Sequence, residues 1–532
     1  LKYDVVVIGS GFGGAVAACR LAHAGRSVLV LERGRRWTPD SYPRGLDDAW
    51  VWDQEQPQAH NGWIDLRFMD DMWVAQGAGV GGGSLIYANI SINAKPSAFA
   101  AGWPSQINYN VLEPYYHQVK SMLDSSPLPD GQLTKRFELM RDAANSIGEG
   151  ARFQKLDLAV TFDDNWSYDL PDARDPKHSK PFVNRFGKQQ GTCIHCGNCD
   201  IGCQVQARNT LDLNYLAAAE TDGATIQTLS LVTHISPAED GWRVHYDRLE
   251  GNVRKSADVV ARTVVLGAGS LGSTEILLRS RDEYRTLPHL SAFLGHGWSS
   301  NGDFLTPAFY ENRKVSPTIG PTITCAIDFL DGSQKGERFF VEDGGFPNVI
   351  GNYMDAKMKR VGRFSPRAKF LRHLRADLHG DDPLANMMPW FGQGVDAANG
   401  RMYLGRHWYA PWRRKLALDW DATRSEDAVN GLIDMHKKLS AATGGRVMVP
   451  PTWTILRNLV TPHPLGGCGM AASPSNGVVD HAGRVFGYPG LFVLDGAIVP
   501  RALGLNPSKT IAALAERAVA LMIDGSIVSD AL

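Results

Sequence analysis

The sequence predicts a mixed fold, α/β plus α+β: a dinucleotide-binding domain on a parallel sheet, discontinuous along the chain, and a second domain built on an antiparallel β-sheet covered by helices. Three observations carry this. A complete βαβ unit occupies the first thirty-four residues, a run of separated short strands begins near residue 301, and glycine-rich turns with a strand and a helix return after Pro464.

In the opening unit, Val5 to Ile8 reads as a buried strand, and Gly9-Ser10-Gly11-Phe12-Gly13-Gly14 fits G-x-G-x-x-G. Ala15 to Ala24 has the small apolar residues of a packed helix, Gly25 stops it, and Ser27 to Leu31 is a second strand ending in Glu32. Gly9 allows the tight turn, Gly11 admits a pyrophosphate to the backbone, Gly14 lets helix and strand pack, and the helix N-terminus faces the anion. Glu32 is placed to accept hydrogen bonds from a ribose diol. The motif specifies an ADP-containing dinucleotide without distinguishing FAD from NAD.

Trp37 to Trp73 shows no clean periodicity and reads as a long loop held against the body. A second glycine stretch follows, Gly77-Ala78-Gly79-Val80-Gly81-Gly82-Gly83-Ser84, leading into apolar Leu85 to Ile92. So many glycines beside an apolar run imply close approach of another backbone or of a cofactor. Residues 108–148 have helical spacing through Val111, Tyr115, Tyr116, Val119 and Met122, forming a lid or insert with the irregular, polar stretch from 150 to 190. A helix is expected from Thr210, a strand over Thr225 to Leu231, and a hairpin from Arg243 to Tyr246 and Asp258 to Leu266. The hairpin ends in a second strand-glycine-helix turn, Gly267-Ala268-Gly269 and Ser270 to Leu278.

Beyond residue 301, Thr322 to Phe329, Arg338 to Val341, Met387 to Gln393, Arg401 to Leu404 and Lys415 to Trp420 read as short strands, with helix at Ser425 to Ala442. Gly490 to Leu494 and Thr510 to Ile523 then form a strand and helix of the first domain. The expected division is 1–300 with 461–532 for the dinucleotide-binding domain and 301–460 for the substrate-binding domain.

Composition excludes several classes. The chain has 532 residues, 43% hydrophobic and 21% charged, with 55 basic and 56 acidic side chains for a formal charge of -1. That balance offers no general attraction to nucleic acid or an anionic membrane. No apolar run reaches the ~18 residues of a membrane span, and a cytoplasmic location is the default expectation. Four of seven cysteines crowd into Cys193-x-x-Cys196-x-x-Cys199-x-x-x-Cys203, which argues against a disulfide framework and for a reducing compartment. The spacing is that of an iron-sulfur ligand run, although Gln204 stands where proline is common, and free or structural thiols remain the alternative.

The closing segments carry a resemblance. His463-Pro464-Leu465-Gly466-Gly467-Cys468, Asp480 to Arg484, Leu494-Asp495-Gly496-Ala497-Ile498-Val499-Pro500, Gly504-Leu505-Asn506-Pro507 and Thr510 to Arg517 resemble the end of glucose-methanol-choline (GMC) flavin oxidoreductases. Together with GVGGGSL at 79–85 they are most similar to the bacterial cholesterol oxidase branch. The resemblance implies a Rossmann-like FAD-binding domain and FAD as cofactor. It implies that Glu32 binds the adenosine ribose, Val232 lies by the adenine, and Gly82 to Ser84 line the pyrophosphate and ring. It further implies that Gly77 and Gly267 stand in two glycine turns at the same cofactor, that Asp495 and Gly496 meet the ribityl-phosphate region, that Asn506 and Pro507 lie at the flavin ring, and that His463 faces the reactive ring nitrogen.

Alcohol oxidation needs an acceptor for the hydroxyl proton beside a hydride acceptor, and an imidazole suits this near neutral pH. An amide can orient the oxygen without adding charge. His463 and Asn506 are therefore the candidate catalytic pair. Phe339-Phe340-Val341-Glu342-Asp343 resembles the cholesterol oxidase strand whose glutamate shifts a steroid double bond; Glu342 is the third candidate, and a solvated carboxylate before Gly344-Gly345 is the alternative. Tyr87 departs from a usually smaller, polar position. Cys193, Cys199 and Cys203 also match by spacing the cluster ligands of iron-sulfur GMC glucose dehydrogenases.

The expected substrate is a small-molecule alcohol, secondary and sterol-like, with oxygen or an external electron acceptor as oxidant. Trp50, Trp52, Trp63, Trp73, Trp390, Phe391, Trp408, Tyr409 and Trp412 suit a partly aromatic cavity. Core packing is the alternative for many of these, and the run from Trp408 to Lys415 reads as a folded loop, with contact to a lipid surface or a partner as its alternative. A sugar-oxidising iron-sulfur dehydrogenase, a redox-neutral flavin lyase and a non-catalytic flavoprotein are the rival expectations.

Overall fold

A computed structural model describes residues 3–45, 47–69, 72–349, 384–406, 413–450, 453 and 459–526. Seven α-helices can be numbered among them: α1 (Phe12–His23), α2 (Tyr109–Leu123), α3 (Lys135–Ser146), α4 (Tyr215–Thr221), α5 (Gly269–Leu278), α6 (Glu426–Ala442) and α7 (Ser508–Ile523).

The opening Val-rich run forms a strand because both of its faces are covered. Val6 and Val7 are fully buried, which the continuous apolar sequence of an interior parallel strand requires. Tyr3–Ile8 lies between Val28–Leu31 and Val253–Leu266, parallel to both, with Val5 opposite Val28 on one side and Thr263 on the other. Thr225–Gln227 extends the parallel edge, and Gly241–Glu250 and Ser230–Ala238 continue the other side antiparallel. The C-terminal strand Leu491–Val493 joins the same sheet, parallel to Val253–Leu266, with Val264 opposite Leu491.

Helix α1 begins where a side chain at Gly14 would sit 2.1 Å from the carbonyl oxygen of Gly9, so only glycine permits this helix-to-strand approach. Helix α7 lies across α1. Arg20 on α1 donates two hydrogen bonds of 2.8 Å to Glu516 on α7, and the Tyr215 hydroxyl of α4 donates a third at 2.7 Å. Glu516 is buried, so its charge is held by three donors rather than by water.

A second sheet of six antiparallel strands runs Gly445–Val447, Phe304–Tyr310, Met387–Gly394, Phe339–Asp343, Cys325–Asp328 and Phe153–Lys155. Helix α6 packs on it, made possible by Gly392, where a side chain would meet Leu432 at 2.5 Å. Helix α3 packs on the same sheet through Met140 beside Cys325.

Several expectations are corrected. The supposed loop from Trp37 to Trp73 ends in an antiparallel pair, Ile64–Met69 with Met72–Gly77, to which Leu459–Thr461 adds in parallel. Alternation of Ile64, Leu66 and Phe68 is the signal that the tryptophans obscured. The helical region 108–148 is two helices: Asp124 takes a left-handed φ of 44° at the end of α2, and Pro127 and Pro129 keep the following stretch extended. The stretch Thr225 to Leu231 breaks at Leu229, φ 53°, into two strands at opposite edges of the sheet. Residues 150–190 contribute the edge strand Phe153–Lys155, and Phe304–Tyr310, which was not expected, carries Pro307 within it. Gly400–Arg406 and Arg414–Asp419 leave the six-stranded sheet and form a small separate one with His296–Trp298. No helix of the described residues is long and apolar enough to cross a membrane.

Candidate active site

The two large sheets enclose a cavity of about 850 Å³. One end is built by the first βαβ unit. Gly9 to Gly13 form its floor, with Glu32 on one side and Val232 on another. The Glu32 carboxylate accepts from the Ser10 N–H (3.1 Å), the Ser10 hydroxyl (2.6 Å) and the Gly34 N–H (2.9 Å). Of its roughly four lone-pair directions, three are used and one is left for a ligand.

The second glycine stretch closes over the first. Gly82 has φ 50°, and a side chain there would approach the Cα of Gly11 to 2.7 Å. Gly77, Gly82, Gly83 and Gly267 line the cavity. Ser84 does not: the turn Gly82–Leu85 rotates its hydroxyl into the protein, where it donates to the Gly81 carbonyl at 2.8 Å and accepts from the Leu211 N–H at 3.1 Å. Its expected place on the cofactor wall is thus corrected; it braces the loop from behind. Gly14 likewise serves packing and lies outside the lining.

Asp495 and Gly496 line the middle of the cavity. The Asp495 carboxylate caps two N-termini, accepting from Ala497 N–H at 2.8 Å and from Gly269 N–H at 2.9 Å, the latter at the start of α5. Burial pushes it up to about 6.

At the other end stand His463, Asn506 and Pro507. His463 turns its Nδ1 to the Asp303 carboxylate, 2.9 Å from Oδ1 and 3.1 Å from Oδ2. The Thr461 hydroxyl binds Asp303 Oδ2 at 2.6 Å and accepts the His463 N–H at 2.9 Å. Asn506 follows a loop fixed from the six-stranded side: Asn301 donates to the Leu505 carbonyl at 2.9 Å and accepts from the Leu503 and Gly504 N–H groups at 2.9 and 3.0 Å.

Glu342 lies on Phe339–Asp343, fully buried behind the cavity lining rather than in it. It accepts from Gln393 Nε2 at 2.8 Å, and the Asn506 amide lies beside it. Burial pushes it up to about 8, with Gln393 opposing the rise and the charges of Asp343 and Asp303 adding to it. The alternative of a solvated carboxylate does not hold for this side chain. Glu342 Oε1 and Asn506 Oδ1 are both buried without a hydrogen-bond partner.

The aromatic residues divide. Trp50, Trp63 and Phe391 line the cavity, Trp52 and Trp390 are core, and Trp73 is exposed on the three-stranded sheet. Trp408, Tyr409 and Trp412 lie outside the described residues. Tyr87 lines the cavity with its ring edge on Phe12 at 5.6 Å and its hydroxyl donating to the Asn209 carbonyl at 3.1 Å.

Cys193, Cys196, Cys199 and Cys203 are free and half-buried. Among the described residues no three His, Cys, Asp or Glu side chains converge as metal ligands. The thiols bind locally instead: Cys193 Sγ accepts from His195 N–H at 3.4 Å and Cys203 Sγ from Ala207 N–H at 3.2 Å. This segment nonetheless holds its four thiols near enough to act on one another electrostatically. It does abut the site, since Asp200 and Ile201 line the cavity.

For FAD the residues fit. The cavity joins the βαβ floor to His463, the N–H groups opening α1 face it, and Asn506 Oδ1 is an orphaned polar atom at its far end. Asp303, Asn301 and Gln393 are residues that sequence reasoning missed. Asp303 stands 160 positions from His463, and no local spacing links them.

Comparison with known proteins gives concordant matches of three kinds. Models of GMC oxidoreductases match residues 181–281 and 400–515, and that of an NAD(P)-binding Rossmann-like domain matches 7–52. A cholesterol oxidase of Mycobacterium tuberculosis is 30% identical, over 98% of this chain and 91% of its own; one from Acinetobacter baumannii is 29% identical, over 97% and 94%. The crystal structure of pyridoxine 4-oxidase from Mesorbium loti superposes with a TM-score of 0.61 at 17% identity, covering 97% of this chain and 98% of that one, a likeness of fold.

Proposed function

The chain belongs to the GMC oxidoreductase family, FAD-dependent enzymes acting on alcohols, and on that premise we propose that it oxidises a secondary, ring-containing, sterol-like alcohol to the ketone. The observation that carries the reading is that His463 and Asn506 line one cavity with the apolar side chains of Leu305, Ile323, Val349, Phe391 and Pro462. FAD, when bound, supplies the acceptor for the hydride of the carbinol carbon.

The protein's own residues do the rest. His463 takes the hydroxyl proton, and Asn506 holds the oxygen as charge develops on it. The apolar wall excludes water and admits a hydrocarbon ring system. Glu342, held largely neutral at pH 7 by burial behind the cavity lining, would carry the proton for moving a double bond next to the new ketone after turning into the cavity. The similarity to two cholesterol oxidases supports the sterol class. The electrons pass to oxygen or an external acceptor.

Anaerobic mixing of the flavin-loaded protein with sterols, simple alcohols and sugars, followed at the flavin absorbance, tests this. At least one sterol is expected to bleach the flavin, and His463→Ala to slow bleaching roughly 10²- to 10⁴-fold with the flavin retained. Bleaching by sugars alone would remove the sterol assignment. No bleaching by any alcohol would favour a redox-neutral or non-catalytic flavoprotein.

A further inference from the structure

The geometry points to Asp303 as the positioning residue of the active site, holding His463 in the tautomer that presents a bare Nε2 to the substrate hydroxyl. The inference deepens the reading above, on which it rests for the identity of the reaction.

The contact leaves the imidazole little choice. Asp303 is buried, and both carboxylate oxygens are within hydrogen-bond distance of His463 Nδ1, at 2.9 and 3.1 Å. An ionised carboxylate only accepts, so the ring proton sits on Nδ1 and the lone pair on Nε2. The Thr461 hydroxyl locks both partners at once, bound to Asp303 Oδ2 and accepting the backbone N–H of His463. Its oxygen also lies 2.9 Å from the Ser300 carbonyl, which ties the unit to the segment leading into Phe304–Tyr310. The ring cannot flip without breaking that chain, and its remaining edge lies on the cavity.

The consequence follows the proton. The substrate O–H bond breaks and an Nε2–H bond forms, and FAD, if bound, would accept the carbinol hydride with its electron pair. His463 then carries a positive charge directly against Asp303, which stabilises it. This is the logic by which a buried carboxylate orients a catalytic histidine and supports its imidazolium without itself taking the proton. Asp303 is the carboxylate in contact with His463. Glu342 lies beyond, where the charge of Asp303 favours its neutral form, and the Phe391 ring, 6.4 Å away, is uncharged.

Two measurements test the inference. The first is independent of turnover: ¹⁵N-histidine spectra of the wild-type protein, with His463→Ala to identify the signal, are expected to show the proton on Nδ1. A proton on Nε2 would overturn the proposal. The second compares Asp303→Asn and Asp303→Glu by anaerobic flavin reduction. Asp303→Asn is expected to lower the limiting rate roughly 10²- to 10⁴-fold with flavin retained and substrate half-saturation little changed. Asp303→Glu should recover part of the rate. An unaltered rate in Asp303→Asn, or equal losses in both variants with flavin lost, would refute the positioning role. Should no alcohol reduce the wild-type flavin, the proposed function fails while the tautomer measurement still judges Asp303.

Discussion

Glu342 shows how one side chain can be a liability to the fold and an instrument of the site. Its pKa, about 8 against an ordinary 4.5, reflects a charge that burial disfavours. Because the folded value lies above the unfolded one, its contribution to stability is whole below about pH 4.5 and is lost as pH climbs through about 8. Each pKa unit is worth about 1.4 kcal/mol. Glu342→Gln keeps the shape and removes the titration. The variant should therefore gain thermal stability relative to wild type as pH rises from 5 to 8, and calorimetry across that range checks it. A gap that stays constant with pH would contradict a buried, neutral acid.

The elements around the site are tied less by their own hydrogen bonds than by side chains reaching across. Asn301, with φ 57°, follows the strand His296–Trp298 and satisfies three backbone groups of the loop that presents Asn506. Asn301→Ala would leave those groups buried and unpaired, at about 1–3 kcal/mol each. A fall in melting temperature together with slower flavin reduction is expected; Asn301→Asp, which keeps the acceptor for Leu503 and Gly504, should lose less of both. Equal behaviour of the two variants would show that the acceptor does not matter. Such ties explain what could be read from the chain. The βαβ unit from Tyr3 to Glu32 was legible because every requirement falls within a few residues of the next. His463 and Asn506 stood out through the motifs around them. The strand Phe304–Tyr310 was hidden by its proline, Ile64–Gly77 by surrounding tryptophans, and the inward turn of Ser84 depends on Leu211, far along the sequence. Asp303 became visible only when folding set it against His463.

At the scale of the molecule, the cavity draws its walls from both large sheets, so a ligand filling it binds the folded state alone. Removing FAD is expected to lower the melting temperature and adding it back to restore it, the stabilisation growing with free flavin and reaching about 4 kcal/mol at a thousand times the dissociation constant. Thermal unfolding of flavin-free and reconstituted protein measures this. A melting temperature indifferent to flavin would mean the cavity is not its site. The near-neutral charge supplies no long-range steering, leaving shape and apolar contact to select the substrate.

The pairing of Arg20 with Glu516 carries a lesson about synthesis. The parallel core of the first sheet awaits Val253–Leu266 and then Leu491–Val493, and α1, which α4 can cover earlier, lacks the carboxylate for Arg20 until α7 arrives with Glu516. On the ribosome, α1 must wait for almost five hundred further residues before the carboxylate that pairs with Arg20 exists. The nascent chain meanwhile exposes the Val-rich strand Tyr3–Ile8, an aggregation hazard of long-range topologies. A cell making this chain is therefore expected to need chaperones while α1 and the first strand await their partners.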